Sequence, residues 1–215
     1  MAVEPRAEAH AIPSGPPGHR LRPETAAHVL ATALAIVESD GVGALTARRV
    51  ARDAGIAVGS LYNLFTGLDG LVVACKEAVL GDLRDHLARA ARDGVGLGVE
   101  ERLLRLADAY VAFAEARPHA WASLFEHAAE VDPDAVEERT RAVFQILESI
   151  LADLPGLPAA RRPLMARALW SAVHGIVYLG RRGGLGPVRH EDVPAMIRAL
   201  VAPAVAGLGG EPRRP

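Results

Sequence analysis

Apolar residues recur every three or four positions along most of this chain, and no stretch shows the period-two alternation of a half-buried strand. Over 23–40, Ala26, Leu30, Ala33, Leu34 and Val37 share one helical face, and Pro23 suits a first turn because its missing N–H is not needed there. Gly41, Val42 and Gly43 stop that helix. Residues 45–65 then read as two short helices joined by a tight turn. Thr46 is placed to cap the first helix, Val50, Ala51 and Ala54 fall on its inner side, and Gly55 sits where a left-handed residue ends it. The second helix, 57–64, turns Leu61 and the following Phe65 inward. It leaves Val58, Gly59, Tyr62 and Asn63 outside. This is the pattern of a helix-turn-helix, whose second helix is shaped to enter a DNA major groove.

The helical period continues to the end. Residues 69–93 predict a long connector with Asp69 as its N-cap, followed by a turn with glycines at 94, 96 and 98. The apolar band over 99–117 is too wide for a surface helix, so this helix is expected at the centre of a second domain. Pro118 and Pro133 open two more helices, 154–158 is a breaker, 159–182 is a long helix, and 183–187 a turn. Asp192 is the expected cap of a last helix at 193–208. The resulting expectation is an all-α chain. A disordered tail (1–22) precedes a helix-turn-helix DNA-binding head (23–83, motif 46–65). A connector helix leads from the head to a larger helical domain for ligand binding and dimerisation (99–208).

Charge adds little to this picture. The net charge of the 215 residues is −2, so no global positive field advertises nucleic acid. Over 41–68, however, Arg48, Arg49 and Arg52 face a single acid, Asp53, a modest patch able to steer toward phosphate. The single cysteine, Cys75, excludes an internal disulfide and fits a reducing, cytoplasmic setting. It reads as a buried small apolar residue, with a thiol sensor as the alternative. No run approaches the ~20 apolar residues of a membrane span.

The motif also carries a resemblance. Thr46, Val50, Ala51, Ala54, Gly55, Ile56, Gly59, Leu61, Tyr62 and Phe65, followed by Asp69, Gly70 and Leu71, resemble the DNA-binding signature of TetR-family transcriptional regulators. The chain departs from that signature at Leu68, where the family usually has a phosphate-gripping lysine. The run 169–175, with Trp170, His174 and Gly175, is similar to a Trp-x-x-x-His-Gly signature in the C-terminal domains of one branch of the family. The resemblance implies repression relieved by a small molecule.

Candidate contacts follow from these placements. For DNA they are Thr46, Arg48, Arg49 and Tyr62 toward phosphate, Gly59 for close backbone approach, and Val58, Ser60 and Asn63 toward base edges. The last helix repeats Val193, Met196, Ile197, Leu200, Val201, Ala204 and Val205 as an apolar seam, and Ala168, Ala172 and Gly175 on the preceding helix allow close approach. These two helices are expected to pair with a second copy. Trp170, His174 and Tyr178 form one stripe whose rings and polar tips suit the lining of a pocket for a small apolar effector. Tyr110, Phe113, Trp121, Phe125, Phe144 and Met165 are the further candidates. His119 and His127 lie too far apart for a metal pair, and no phosphate loop or catalytic constellation is present, so no metal, cofactor or enzymatic activity is expected. The partners expected are operator DNA, a second copy of the chain and the effector, with no membrane. The alternative reading is an all-helical ligand-binding or adaptor protein that has lost DNA binding.

Overall fold

The computed structural model describes residues 23–126, 133–182 and 188–209. The expected disordered tail at 1–22, His127 and the turn at 183–187 lie outside the described residues. Within them the chain forms nine α-helices and no strand: α1 (Pro23–Asp40), α2 (Ala47–Asp53), α3 (Val58–Phe65), α4 (Leu68–Asp93), α5 (Val99–Ala116), α6 (Pro118–Ser123), α7 (Pro133–Leu151), α8 (Arg162–Arg182) and α9 (Val193–Gly209). Short 3-10 turns occupy Val42–Ala44, Ala159–Arg161 and His190–Asp192. No single helix among the described residues is long and apolar enough to cross a membrane.

Two apolar cores account for the architecture. The first is built from Val29, Ala33 and Val37 of α1, Val50 of α2, Leu61 of α3 and Leu71, Val72 and Cys75 of α4. The second gathers α5 to α9 around the far half of α4, through Val79, Leu83 and Leu87. The connector therefore belongs to both cores, and its 26 residues make one rod between them. Burial leaves Cys75 2% exposed and pushes its thiol up to about 12, so the thiolate a redox sensor needs is suppressed.

The joint between α3 and α4 is the tightest point of the head. The two helices meet at a bend of 59°. Thr66 adopts a left-handed conformation (φ 54°), and its hydroxyl donates to the Phe65 carbonyl at 2.6 Å. A Cβ on Gly70 would lie 1.6 Å from that same carbonyl oxygen, so only glycine fits there. This joint corrects one expectation. Gly67 (φ 103°), not Asp69, is the N-cap of α4, because the turn starts the helix two residues earlier than an Asp69 cap would and leaves Asp69 inside its first turn. Leu68 is half-buried and packs against the head core, so the position that departs from the family signature anchors the joint.

The last helix also differs from expectation. Val193, Ile197 and Val201 are 2%, 1% and 3% exposed, buried in the chain's own second core. They are not available to a second copy, because α9 packs on α5 and α8 along that side. A Cβ on Gly180 would meet Val193 Cγ2 at 2.5 Å, a measure of how closely α8 and α9 cross. Met196, Leu200, Ala204 and Val205 of the same seam are less deeply placed. On α8, Ala168 is exposed, Ala172 and Gly175 are half-buried, and the space beside Gly175 is open.

Candidate nucleic-acid interface and ligand cavity

The helix-turn-helix is held by local chemistry. The Thr46 hydroxyl accepts the Arg49 N–H at 3.2 Å, capping α2 and leaving its own proton free to donate outward. Gly55 takes φ +68° between the helices. On α3, Val58, Gly59, Tyr62 and Asn63 are all exposed, with Tyr62 at 55%, and Ser60 is half-buried. Leu61, fully buried, is the nail that holds this face outward. Arg48 is exposed at the start of α2.

Arg49 is engaged differently. Its guanidinium ion-pairs with Asp40 at the end of α1 and lies 3.7 Å from Asp53. That hydrogen bond holds the Asp40 carboxyl below its ordinary value. Arg49 therefore ties α2 to α1 within the head, while Arg52 pairs with Asp53 at 2.8 Å.

In the second core the candidate ligand residues separate into three groups. Tyr110 and Trp170, with ring centroids 4.6 Å apart, line a cavity of about 30 Å³ whose remaining walls are aliphatic. Those walls include Leu87 of the connector and Val201 of α9, neither of which stood out in the sequence as a pocket residue. Phe144 packs edge-on to Trp170 at 5.8 Å, and Met165 sits half-buried at the margin of the core.

Behind Tyr110, Trp121, Phe125, His174 and Tyr178 stack into one aromatic cluster, with Phe125 and His174 centroids only 4.1 Å apart. The Trp121 indole N–H donates to the Tyr110 hydroxyl oxygen at 2.8 Å, and that hydroxyl lies 2.8 Å from His174 Nδ1. An indole N–H can only donate; with the phenolic proton given to Nδ1 both rings are satisfied, and that arrangement puts the imidazole proton on Nε2. Burial favours this neutral form and lowers the His174 pKa below its ordinary value. It also raises that of Tyr110.

Phe113 stands apart from both groups. One turn beyond Tyr110, it faces α4, packing against His86 at 5.9 Å and under the Arg117 guanidinium at 5.3 Å. It lines a separate surface cleft of about 400 Å³ with Asp82, Asp85 and Arg89, which corrects its expected place in the pocket.

The comparisons with known proteins follow these two regions. A model described as bacterial regulatory proteins of the tetR family matches residues 29–75, and one described as a tetracyclin repressor-like C-terminal domain matches 103–203. No curated protein matches the sequence. Among solved structures, a protein of unknown function from Rhodococcus sp. RHA1 is similar over 90% of this chain and 100% of its own, at 24% identity and a TM-score of 0.70. The TetR family transcriptional regulator PfmR from Thermus thermophilus is similar over 86% and 99%, at 18% identity and 0.58. The transcriptional regulator FadR from Bacillus subtilis, in complex with stearoyl-CoA, is similar over 82% and 97%, at 13% identity and 0.61. With a tetR-type head on one core and a repressor-like C-terminal domain on the other, the chain belongs to the TetR family of ligand-responsive, DNA-binding transcriptional regulators.

Proposed function

We propose that this chain is a cytoplasmic homodimeric repressor that occupies a palindromic operator and leaves it when a small apolar ligand enters the second domain. In this reading residues 23–83 are the head and 99–208 the ligand-binding and dimerisation body. The observation that carries it is the outward row on α3, where Val58, Gly59, Tyr62 and Asn63 stand exposed over a buried Leu61. Val58 meets a thymine methyl, Ser60 and Asn63 hydrogen-bond base edges, Thr46, Arg48 and Tyr62 hold phosphate, and Arg49 braces α2 from behind. No arginine on α3 is available for a bidentate guanine contact, so apolar contacts and DNA shape carry much of the specificity.

One helix of 8 residues reads few bases, and affinity requires two heads at a set spacing of about one helical turn. The face that pairs the copies is the small-residue strip Ala168, Ala172 and Gly175 on α8, with Met196, Leu200, Ala204 and Val205 from the outer half of the α9 seam. The ligand reading is supported by an aliphatic cavity walled partly by the connector helix. Small-molecule pockets usually measure ~300–1,000 Å³. At about 30 Å³ this cavity is too small for such a ligand, which must part its walls, Leu87 of α4 included. The stearoyl chain carried by the Bacillus subtilis relative's ligand is of the apolar kind this lining would accept.

The test is selection of duplexes from a random pool by the full chain, followed by fluorescence anisotropy at several salt concentrations. A palindromic consensus bound by two protomers is expected, with Asn63→Ala relaxing the preference at one position per half-site. A protein that enriches no palindrome, or that sediments as a monomer at micromolar concentration, overturns the proposal.

A further inference from the structure

Arg117 joins three parts of the molecule, α1, α4 and the α5–α6 corner, through charged contacts. It occupies the corner between α5 and α6, its backbone N–H bonded to Phe113 O at 3.0 Å. Its Nε donates to Glu38 of α1 at 2.7 Å, Nη2 donates to the same carboxylate, and Nη1 donates to Asp82 of α4 at 2.7 Å. The guanidinium also covers the Phe113 ring. One turn along α6, Trp121 bonds the Tyr110 hydroxyl, and the Tyr110 ring is a wall of the cavity. The opposite edge of α6 reaches the head, where His119 Nδ1 would lie 3.4 Å from a Cβ on Gly41.

We propose that Arg117 is the positioning residue that couples the cavity to the head, clamping α1 and α4 onto α6 while the cavity stays narrow. The proposal rests on the ligand-release reading above and assigns its transmission point. Parting the cavity walls displaces Tyr110, and Tyr110 is bonded to Trp121. Movement of Trp121 turns the six-residue α6 and draws the Arg117 corner away from Glu38 and Asp82. The head then loses its charged tether to the body, and the spacing of the recognition helices changes. Because coupling between two sites is reciprocal, breaking the clamp from the head side must ease opening of the cavity.

That reciprocity gives a test needing neither the natural ligand nor the operator. The neutral fluorophore N-phenyl-1-naphthylamine is titrated into the full chain, with energy transfer from Trp170 as the readout. Partly exposed ion pairs shift an equilibrium by about two- to fivefold. Glu38→Gln and Asp82→Asn, neither of which lines the cavity, are each expected to tighten probe binding by about that factor. Arg117→Gln should do no more than the pair together, and Glu191→Gln, in an exposed pair with Arg189, should leave binding unchanged. Wild-type affinity in both Glu38→Gln and Asp82→Asn overturns the clamp while leaving the ligand reading intact. Failure of the probe to bind the wild-type chain overturns the ligand reading and the clamp with it.

Discussion

The two cores share one helix and treat polar groups in opposite ways. In the head, the side chains offered to DNA point outward and are held by backbone geometry: a capped α2, a left-handed glycine, and a joint at Gly70 that tolerates no side chain. In the body, the polar groups of the aromatic cluster point at each other. The Tyr110 hydroxyl is engaged by both Trp121 and His174, so it is not free to greet a ligand. The head is therefore a fixed surface with its chemistry on display. The body holds a narrow apolar space, and its polar chemistry holds its own walls together. Recognition of DNA needs preorganised donors, whereas recognition of an apolar effector needs only space, and space is what the 30 Å³ cavity lacks.

The sharpest way to break this contrast is Gly70→Ala. The added methyl carbon would sit 1.6 Å from the Phe65 carbonyl, which is backbone and cannot step aside without moving α3. We expect a loss of more than about 4 kcal/mol from the head and no measurable DNA binding. Both tryptophans belong to the body, so tryptophan emission should remain native. Gly59→Ala is the counter-experiment. No atom lies within 4 Å of the new Cβ, and alanine favours helix over glycine by about 0.5–1 kcal/mol. That variant should melt no lower than the wild type and still bind DNA less well, since in the proposed docking the methyl stands where the backbone approaches the duplex. Equal melting temperatures for the two variants would remove the claim that the head is held by its joint.

The head was more legible in the sequence than the body, and the reason is range. Thr46, Gly55 and Leu61 act through neighbours within a few residues, so the helical period places them. The pairing of Arg49 with Asp40 spans a turn and could not be read from a local charge count. In the body every misplacement concerns which side of a widely apolar helix faces inward. Tyr110 and Phe113 lie one turn apart on α5, but that helix is apolar on two sides, and only the position of α4 decides that Phe113 turns to His86. The α9 seam was likewise visible as a seam. Its inner half, Val193, Ile197 and Val201, serves the chain's own core. Asp69 looked like a cap because its side chain suits one, yet the turn conformation of Thr66 and Gly67 set the start of α4.

A smaller effect tests whether the body's polar groups do hold its walls. Tyr110→Phe keeps the ring but strands the Trp121 N–H and His174 Nδ1 in a largely buried setting, at a cost of about 1–3 kcal/mol. The melting temperature of the body should fall and Trp121 emission should shift, while DNA affinity measured well below the transition changes little. The corresponding change in the head is smaller still. Thr46→Ala removes one cap from a seven-residue helix, worth about 1 kcal/mol. It also deletes the proposed phosphate donor, so its effect on DNA affinity should exceed its effect on thermal stability. The reverse ranking would mean that Thr46 serves the fold alone.

The finest probe of the contrast is pH. His174 is half-buried, which favours its neutral form, so its folded pKa lies below the 6.5 of the unfolded chain. As the solution is acidified through about 6.5, the unfolded state takes up the proton first. Stability then rises with pH between the folded value and about 6.5, and is independent of this group above that window. Protonation at Nδ1 would also turn His174 into a donor. The Tyr110 oxygen would then receive protons from both Trp121 and His174, and its own O–H would be left without an acceptor. The body should therefore soften on acidification from about pH 7.5 to about 5.5, and His174→Asn should flatten that dependence. The head has no buried imidazole in its core, so its DNA affinity should follow the loss only where the body itself begins to melt. Parallel melting curves for wild type and His174→Asn across this range would show that the neutral imidazole is not what the Tyr110 hydroxyl is bonded to hold.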